Sequence, residues 1–170
     1  DLTQSLRPGE NRLQVQVDNR RRADRVPMHH FDWHNDGGLY REVELVPLPT
    51  VFIRDCGIAL VPDGTFSRIT VDITLSHPVD DVAEVEIPGL CVRARCAIAA
   101  GRGTVEIEAR PQLWSPGSPH LYHATIRAGE DVVVETVGFR EVRRSGREIL
   151  FNGEPLWLRG VCVHEDDAVL

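Results

Sequence analysis

The sequence predicts an all-β protein with a two-sheet sandwich at its centre, and three observations predict it. From Thr50 to Val142 apolar and polar residues alternate in short runs, the period of half-buried strands. Turn signals break those runs at regular intervals: Pro62-Asp63-Gly64, Pro88-Gly89, Gly101-Arg102-Gly103, Pro116-Gly117 and Gly129. No stretch of about 12 residues or more carries a convincing helical period. About seven short strands in roughly 90 residues match an immunoglobulin-like β-sandwich, cored where two inward faces meet.

Taken in order, Leu13 to Asp18 alternates strictly and predicts a half-buried strand after the turn signal Pro8-Gly9. Arg20, Arg21, Arg22 and Arg25 follow, with Arg12 close by in sequence. They read as a solvated loop or as a patch for an anionic ligand; the missing aromatic interleaving favours the loop. Between Met28 and Arg41, His30, Asp32 and His34 fall two residues apart, so an extended chain points all three to one face. That spacing suits a metal site, a sugar-contacting rim backed by Trp33 or Tyr40, or simply exposed loop residues. Gly37-Gly38 marks a tight turn or a close backbone approach. Glu42 to Leu48 alternates again and ends at Pro47 and Pro49, a natural boundary.

Within the sandwich, Ile69, Val71, Ile73 and Leu75 predict one inward face, and Val85 with Ile87 a second. Val92, Ala94, Cys96 and Ile98 share a third, Val105 with Ile107 a fourth, and Tyr122, Ala124 and Ile126 a fifth; Asp131 to Phe139 closes the set. Beyond it, the apolar runs Ile149–Phe151 and Leu156–Leu158 flank Asn152-Gly153. Asn-Gly is a strong hairpin signal, because a type I′ turn needs positive φ at both central residues. Val161-Cys162-Val163 reads as a short buried strand, with His164-Glu165-Asp166-Asp167 at its carboxyl end. In parallel α/β architectures that end is where ligands are met.

Composition excludes several classes. A 42% hydrophobic fraction supports a real core, and a net charge of −7 argues against a phosphate-backbone binder, so no nucleic-acid partner is expected. No apolar run approaches the roughly 20 residues of a membrane span, so no membrane partner is expected either. The sequence starts at Asp1 in mid-pattern, which suggests that the natural N-terminus lies further upstream. Cys56, Cys91, Cys96 and Cys162 form no C-x-x-C pair and read as free, mostly buried thiols of a reducing compartment, hence a cytoplasmic location. Asp80-Asp81 is not an acid/base pair, since neighbours on a strand point oppositely. A nucleophilic Cys162–His164 pair lacks an orienting third group.

Three ordered clusters carry a resemblance. Asp32 to Arg41 continues into Val43, Leu113-Trp114-Ser115-Pro116 is followed by Pro119, Leu121 and Tyr122, and Val137-Gly138-Phe139-Arg140 precedes Phe151-Asn152-Gly153-Glu154-Pro155 and His164-Glu165-Asp166. Together they resemble family 2 glycoside hydrolases: β-galactosidases, β-glucuronidases and β-mannosidases. The resemblance implies the end of a jelly-roll sugar-binding domain (1–49), an immunoglobulin-like sandwich (50–142) and the truncated start of a TIM-barrel catalytic domain (143–170). The flanking β segments therefore belong to a jelly roll and to the barrel's opening hairpin. It also implies substrate contacts at Asp32, which reaches the barrel mouth, and at His164, with Asn35 and Glu165 beside them. Arg41 corresponds to a structural arginine, and the motifs around Trp114 and Gly138 are structural. Cys162 departs from the family's usual Asn.

Retaining glycoside hydrolysis needs two carboxyl groups about 5–5.5 Å apart. The family's acid/base is a Glu directly after an Asn, whereas Asn11, Asn19, Asn35 and Asn152 are followed here by Arg, Arg, Asp and Gly. A complete barrel takes about 250 residues. The expectation is an inactive, structural piece of a retaining exo-β-glycosidase, acting on β-galactosides or β-glucuronides, with no cofactor and no metal. The parent's partner is its carbohydrate substrate, and a homo-oligomer stays open. Two other classes compete: a non-catalytic carbohydrate-binding or interaction module, and a metal protein using His29, His30, Asp32 and His34.

Overall fold

The computed structural model describes residues 2–24 and 37–162. These fall into two compact units, one of residues up to Leu45 together with those from Gly160 onward, the other Val46–Arg159.

The larger unit is all-β and antiparallel, with a single 3-10 turn at Pro88–Leu90 as its only helical residues. Strands β1 (Ile53–Leu60), β2 (Arg68–Leu75) and β5 (Arg102–Glu108) form one sheet in the order β1-β2-β5. Strands β3 (Asp81–Ile87), β4 (Val92–Ile98), β6 (Tyr122–Ala128) and β7 (Asp131–Val137) form the other in the order β4-β3-β6-β7. This is the seven-strand immunoglobulin-like sandwich, with its fourth strand paired to the third rather than to the fifth. A third small sheet follows: β8 (Val142–Ser145), β9 (Glu148–Phe151) and β10 (Glu154–Pro155).

Alternation builds the core as the pattern demands. Ile69, Val71, Ile73 and Leu75 of β2 face Ala83, Val85 and Ile87 of β3 and Ala124 and Ile126 of β6 in one buried cluster. Burying each large aliphatic side chain contributes about 1.5–3 kcal/mol. Outward, the same strands are polar. Glu84 pairs across to Arg95 and Glu86 to Arg93, the latter with Nη2 2.9 Å from Oε1. Such exposed cross-strand pairs contribute only about 0.2–1 kcal/mol each.

Strand β1 has the weakest pattern, with Arg54, Asp55 and Gly57 in it, and sequence alternation alone does not single it out. Its neighbours make it a strand: Cys56 registers with Ile73 and Ile58 with Val71, and the Ile53 N–H donates to Asp131 Oδ2 at 2.8 Å, fastening β1 to β7.

Five local expectations are corrected. Leu13 to Asp18 and Glu42 to Leu48 form no strand, although both alternate. Leu13, Val15, Val17, Val43 and Leu45 are exposed, because alternation defines a face but only a neighbouring chain supplies ladder hydrogen bonds. Leu156–Leu158 is not a strand: β10 ends at Pro155, with one further bond from Leu156 N to Ile149 O, and Trp157 and Leu158 are exposed. Val161 and Cys162 are exposed and irregular rather than a buried strand, while Val163 lies outside the described residues. The cysteines, all free, are less buried than expected: Cys96 is buried and Cys56 half-buried, but Cys91 and Cys162 are exposed.

Candidate functional site

The substrate-contact residues expected from sequence, Asp32, Asn35, His164 and Glu165, lie outside the described residues, as do His29, His30 and His34. Among the described residues no group of three or more His, Cys, Asp or Glu could hold a metal ion.

The other sharp readings resolve into structural chemistry. Asp18 draws in two arginines, Arg20 Nη2 at 2.7 Å and Arg22 Nη2 at 3.5 Å. Hydrogen bonds from the Arg20 side chain and backbone hold the Asp18 carboxyl well below the usual carboxylate range. Asp18 therefore offsets part of the local positive charge within the chain. Asp80 Oδ1 accepts from Ala100 N at 2.8 Å and Asp81 Oδ1 from Val82 N at 2.7 Å, so this pair braces turns. Burial pushes the thiols of Cys56 and Cys96 up, away from thiolate character. Gly38 has a φ of 97°, and a Cβ at Gly37 would lie 2.7 Å from Asn19 Nδ2, so both readings of that glycine pair hold.

The described residues do gather one dense constellation, where the loop before β6, the segment after β7 and the β9–β10 turn meet. Asn152 has a φ of 51° and Gly153 of 86°, both positive as a type I′ turn requires, and Phe151 registers with Glu154 across a two-residue loop. The Asn152 side chain does more than enter that turn. Its Oδ1 accepts from Glu141 N at 3.0 Å, and its Nδ2 donates to Trp114 O at 3.0 Å. Its backbone N–H donates to Glu141 O at 2.9 Å, so both backbone polar groups of Glu141 are taken.

The receiving segments are themselves joined, by Trp114 N to Phe139 O at 2.8 Å. The Trp114 ring meets Phe151 edge-on with centroids 6.2 Å apart, and the Arg140 guanidinium lies over it at 5.4 Å. Arg140 Nη1 also donates to Gly138 O at 3.0 Å. At Gly138 a Cβ would come within 2.8 Å of Trp114 Cδ1, a close approach that suits the structural role expected of this motif. Tyr122 is buried at the start of β6, on the inward face that the alternation predicts, and it also anchors the preceding loop: its hydroxyl accepts from Gln112 N at 2.9 Å and its ring packs on Phe139 with centroids 5.6 Å apart.

Glu141 is the residue that sequence reasoning missed. It is 6% exposed, and neither carboxylate oxygen meets a hydrogen-bond donor among the described residues. Its counter-charge is Arg143, with Nε 3.6 Å from Oε2. Nothing in the motif Gly138-Phe139-Arg140-Glu141 announces a buried carboxylate; its backbone is held by the Asn152 bonds, made across 11 residues. The constellation offers neither paired carboxyls nor an activated nucleophile, so its chemistry is adhesion.

A groove of about 520 Å³ lies beside the β1–β2 loop, lined by Asp63, Thr65, Ser67, Arg68, Glu108 and Arg110 among others. Its charges neutralise one another: Arg68 bridges Asp63 and Glu106.

Comparison with known proteins matches residues 51–140 to the family model described as "Glycosyl hydrolases family 2". A β-galactosidase of Pectobacterium atrosepticum is 32% identical over 97% of this chain, which spans 18% of that protein. The apo structure of β-glucuronidase 3 from Bacteroides uniformis aligns at a TM-score of 0.66 and 29% identity, over 85% of this chain and 20% of its own. A β-glucuronidase from Ruminococcus gnavus in complex with D-glucaro-d-lactam shares the fold at a TM-score of 0.50 and 21% identity, over 66% of this chain and 20% of its own.

Proposed function

This chain belongs to glycosyl hydrolases family 2, and on that premise we propose that the protein of which it forms a part hydrolyses terminal β-linked sugars with retention. The observation that carries this reading is identity running through 97% of the chain to a β-galactosidase of which it spans 18%. The favoured substrates are β-galactosides and β-glucuronides, the activities named for the relatives.

In this reading the chain supplies the end of a sugar-binding domain up to residue 49, the sandwich over 50–142, and the opening of a catalytic barrel from 143. The chain alone is inactive, because no Asn-Glu pair occurs in it. Asp32 and His164, with Asn35 and Glu165, contact the sugar through hydroxyl hydrogen bonds. The sandwich contributes no reacting group; it fixes how the segments on either side of it in sequence are presented. The exposed alternating segments 13–18 and 42–48 complete their sheets with strands supplied elsewhere in the longer protein.

The test compares this 170-residue chain with the full-length protein on chromogenic β-galactoside, β-glucuronide and β-mannoside. Activity confined to the full-length protein supports the reading and names the sugar. Activity in the chain alone overturns the assignment of an inert piece. Asp32→Ala and His164→Ala in the full-length protein each lower kcat/KM; unchanged values would remove those residues from the site.

A further inference from the structure

A type I′ turn needs only a residue tolerant of positive φ at its first central position, and Gly or Asp would serve as well as Asn. At Asn152 the side chain is used far beyond that local need. It joins two segments remote in sequence, accepting from the Glu141 backbone and donating to the carbonyl of Trp114, 38 residues away. The turn also rests on the β1–β2 loop, where Phe66 holds a φ of 53° and a Cβ at Gly153 would lie 3.7 Å from Phe66 Cζ. A bulky residue in the left-handed region is strained and persists only where its surroundings hold it.

The second observation is the Glu141 carboxylate. Its backbone N–H and C=O are both bound by Asn152, and its side chain is buried with one counter-charge at 3.6 Å. Burying a charge so sparsely paired is costly, and the bonds that fix its backbone must withstand that cost.

We propose that Asn152 is a positioning residue: its side chain locks the β8–β9–β10 sheet to the sandwich and thereby sets the direction of the chain that continues beyond residue 156. The consequence for catalysis rests on the glycosidase reading above. There, the sugar contacts Asp32 and His164 lie on opposite sides of the sandwich in sequence, so loosening the lock weakens substrate binding more than the chemical step.

The experiment uses the full-length protein with Asn152→Gly, which keeps the turn and removes both side-chain bonds, and Asn152→Asp, which keeps the acceptor alone. Ile126→Val serves as a control that loosens the core without touching the lock. Asn152→Gly is expected to speed amide exchange across Val142–Ser145 and Ile149–Phe151 by about tenfold or more, while β2 and β6 keep their protection. It is expected to raise KM by about threefold or more with kcat within about twofold, Asn152→Asp falling between it and wild type. Ile126→Val should leave KM unchanged.

Unchanged exchange in Asn152→Gly would overturn the lock. Faster exchange with wild-type KM would reduce Asn152 to local stabilisation and overturn the positioning role, as would an equal rise in KM in the Ile126→Val control. A wild-type protein inactive on every β-glycoside would sink the glycosidase reading. The exchange measurement then decides the lock by itself, since it needs no substrate.

Discussion

Residues 13–18 and 42–48 carry the same period-two pattern as β2 and β6, yet only the latter are strands. In β2, Ile69, Val71 and Ile73 are at most 1% exposed; in the first segment, Val15 and Val17 are 51% and 48% exposed. The side chains are of one kind, so hydrophobicity does not separate them. What differs is the neighbour. β2 has β1 on one edge, in register from Asp55 to Leu60 with one shift between Ile53 and Asp55, and β5 on the other in continuous register. An alternating segment is half of a strand, and the other half is a chain to pair with.

That contrast can be broken most forcefully by mutation. Ile126→Ala, at a fully buried site in β6, should lower stability by about 3 kcal/mol, because lost burial and a cavity add. Val15→Ala in the same 170-residue chain should change it by less than about 0.5 kcal/mol. Denaturant melts of the two variants read the difference directly; equal losses would mean that the flank contributes to the same cooperative unit.

Gly138→Ala sharpens the comparison inside the larger unit. The added Cβ would press on Trp114 Cδ1 at 2.8 Å and on Leu121 Cδ2 at 3.1 Å, a cost of about 1–3 kcal/mol with a perturbed tryptophan fluorescence signal. An unaltered melt and spectrum would show that the Trp114 loop is loosely held.

The smallest expected effect is a pH dependence at the β1–β2 loop. Hydrogen bonds from the Thr65 side chain and backbone, then from Arg68, pull the Asp63 carboxyl down from 3.8 to about 2. A depressed carboxyl stabilises the fold above its unfolded pKa, so this contribution is whole above pH 3.8 and fades as pH falls through about 2. The stability gap between wild type and Asp63→Asn should narrow across that window. A gap independent of pH would remove the assignment.

The sandwich was legible because its alternation and turn residues agree: six runs, broken by glycines and prolines, match six of the seven strands, all but β1. That strand escaped because Arg54, Asp55 and Gly57 blur its period, and its identity is conferred by β2 and by Asp131. The hairpin at Asn152-Gly153 was legible from backbone conformation alone, but the use of the Asn152 side chain was not. Bonds to Trp114 and Glu141 are tertiary, and no spacing rule contains them. Of the candidate sugar contacts, Asp32 and His164 rest on motif resemblance only, since neither burial nor period distinguishes a ligand-facing histidine from an exposed one.

The most direct test of the central claim, that pattern becomes strand only with a partner, is amide hydrogen exchange on this chain beside the full-length protein. In the 170-residue chain, amides of β2 and β6 should be strongly protected while those of 13–18 and 42–48 exchange at nearly unprotected rates. In the full-length protein the two flanking segments should gain protection close to that of the sandwich. Strong protection of the flanks in the short chain, or none in the full-length protein, would contradict the account.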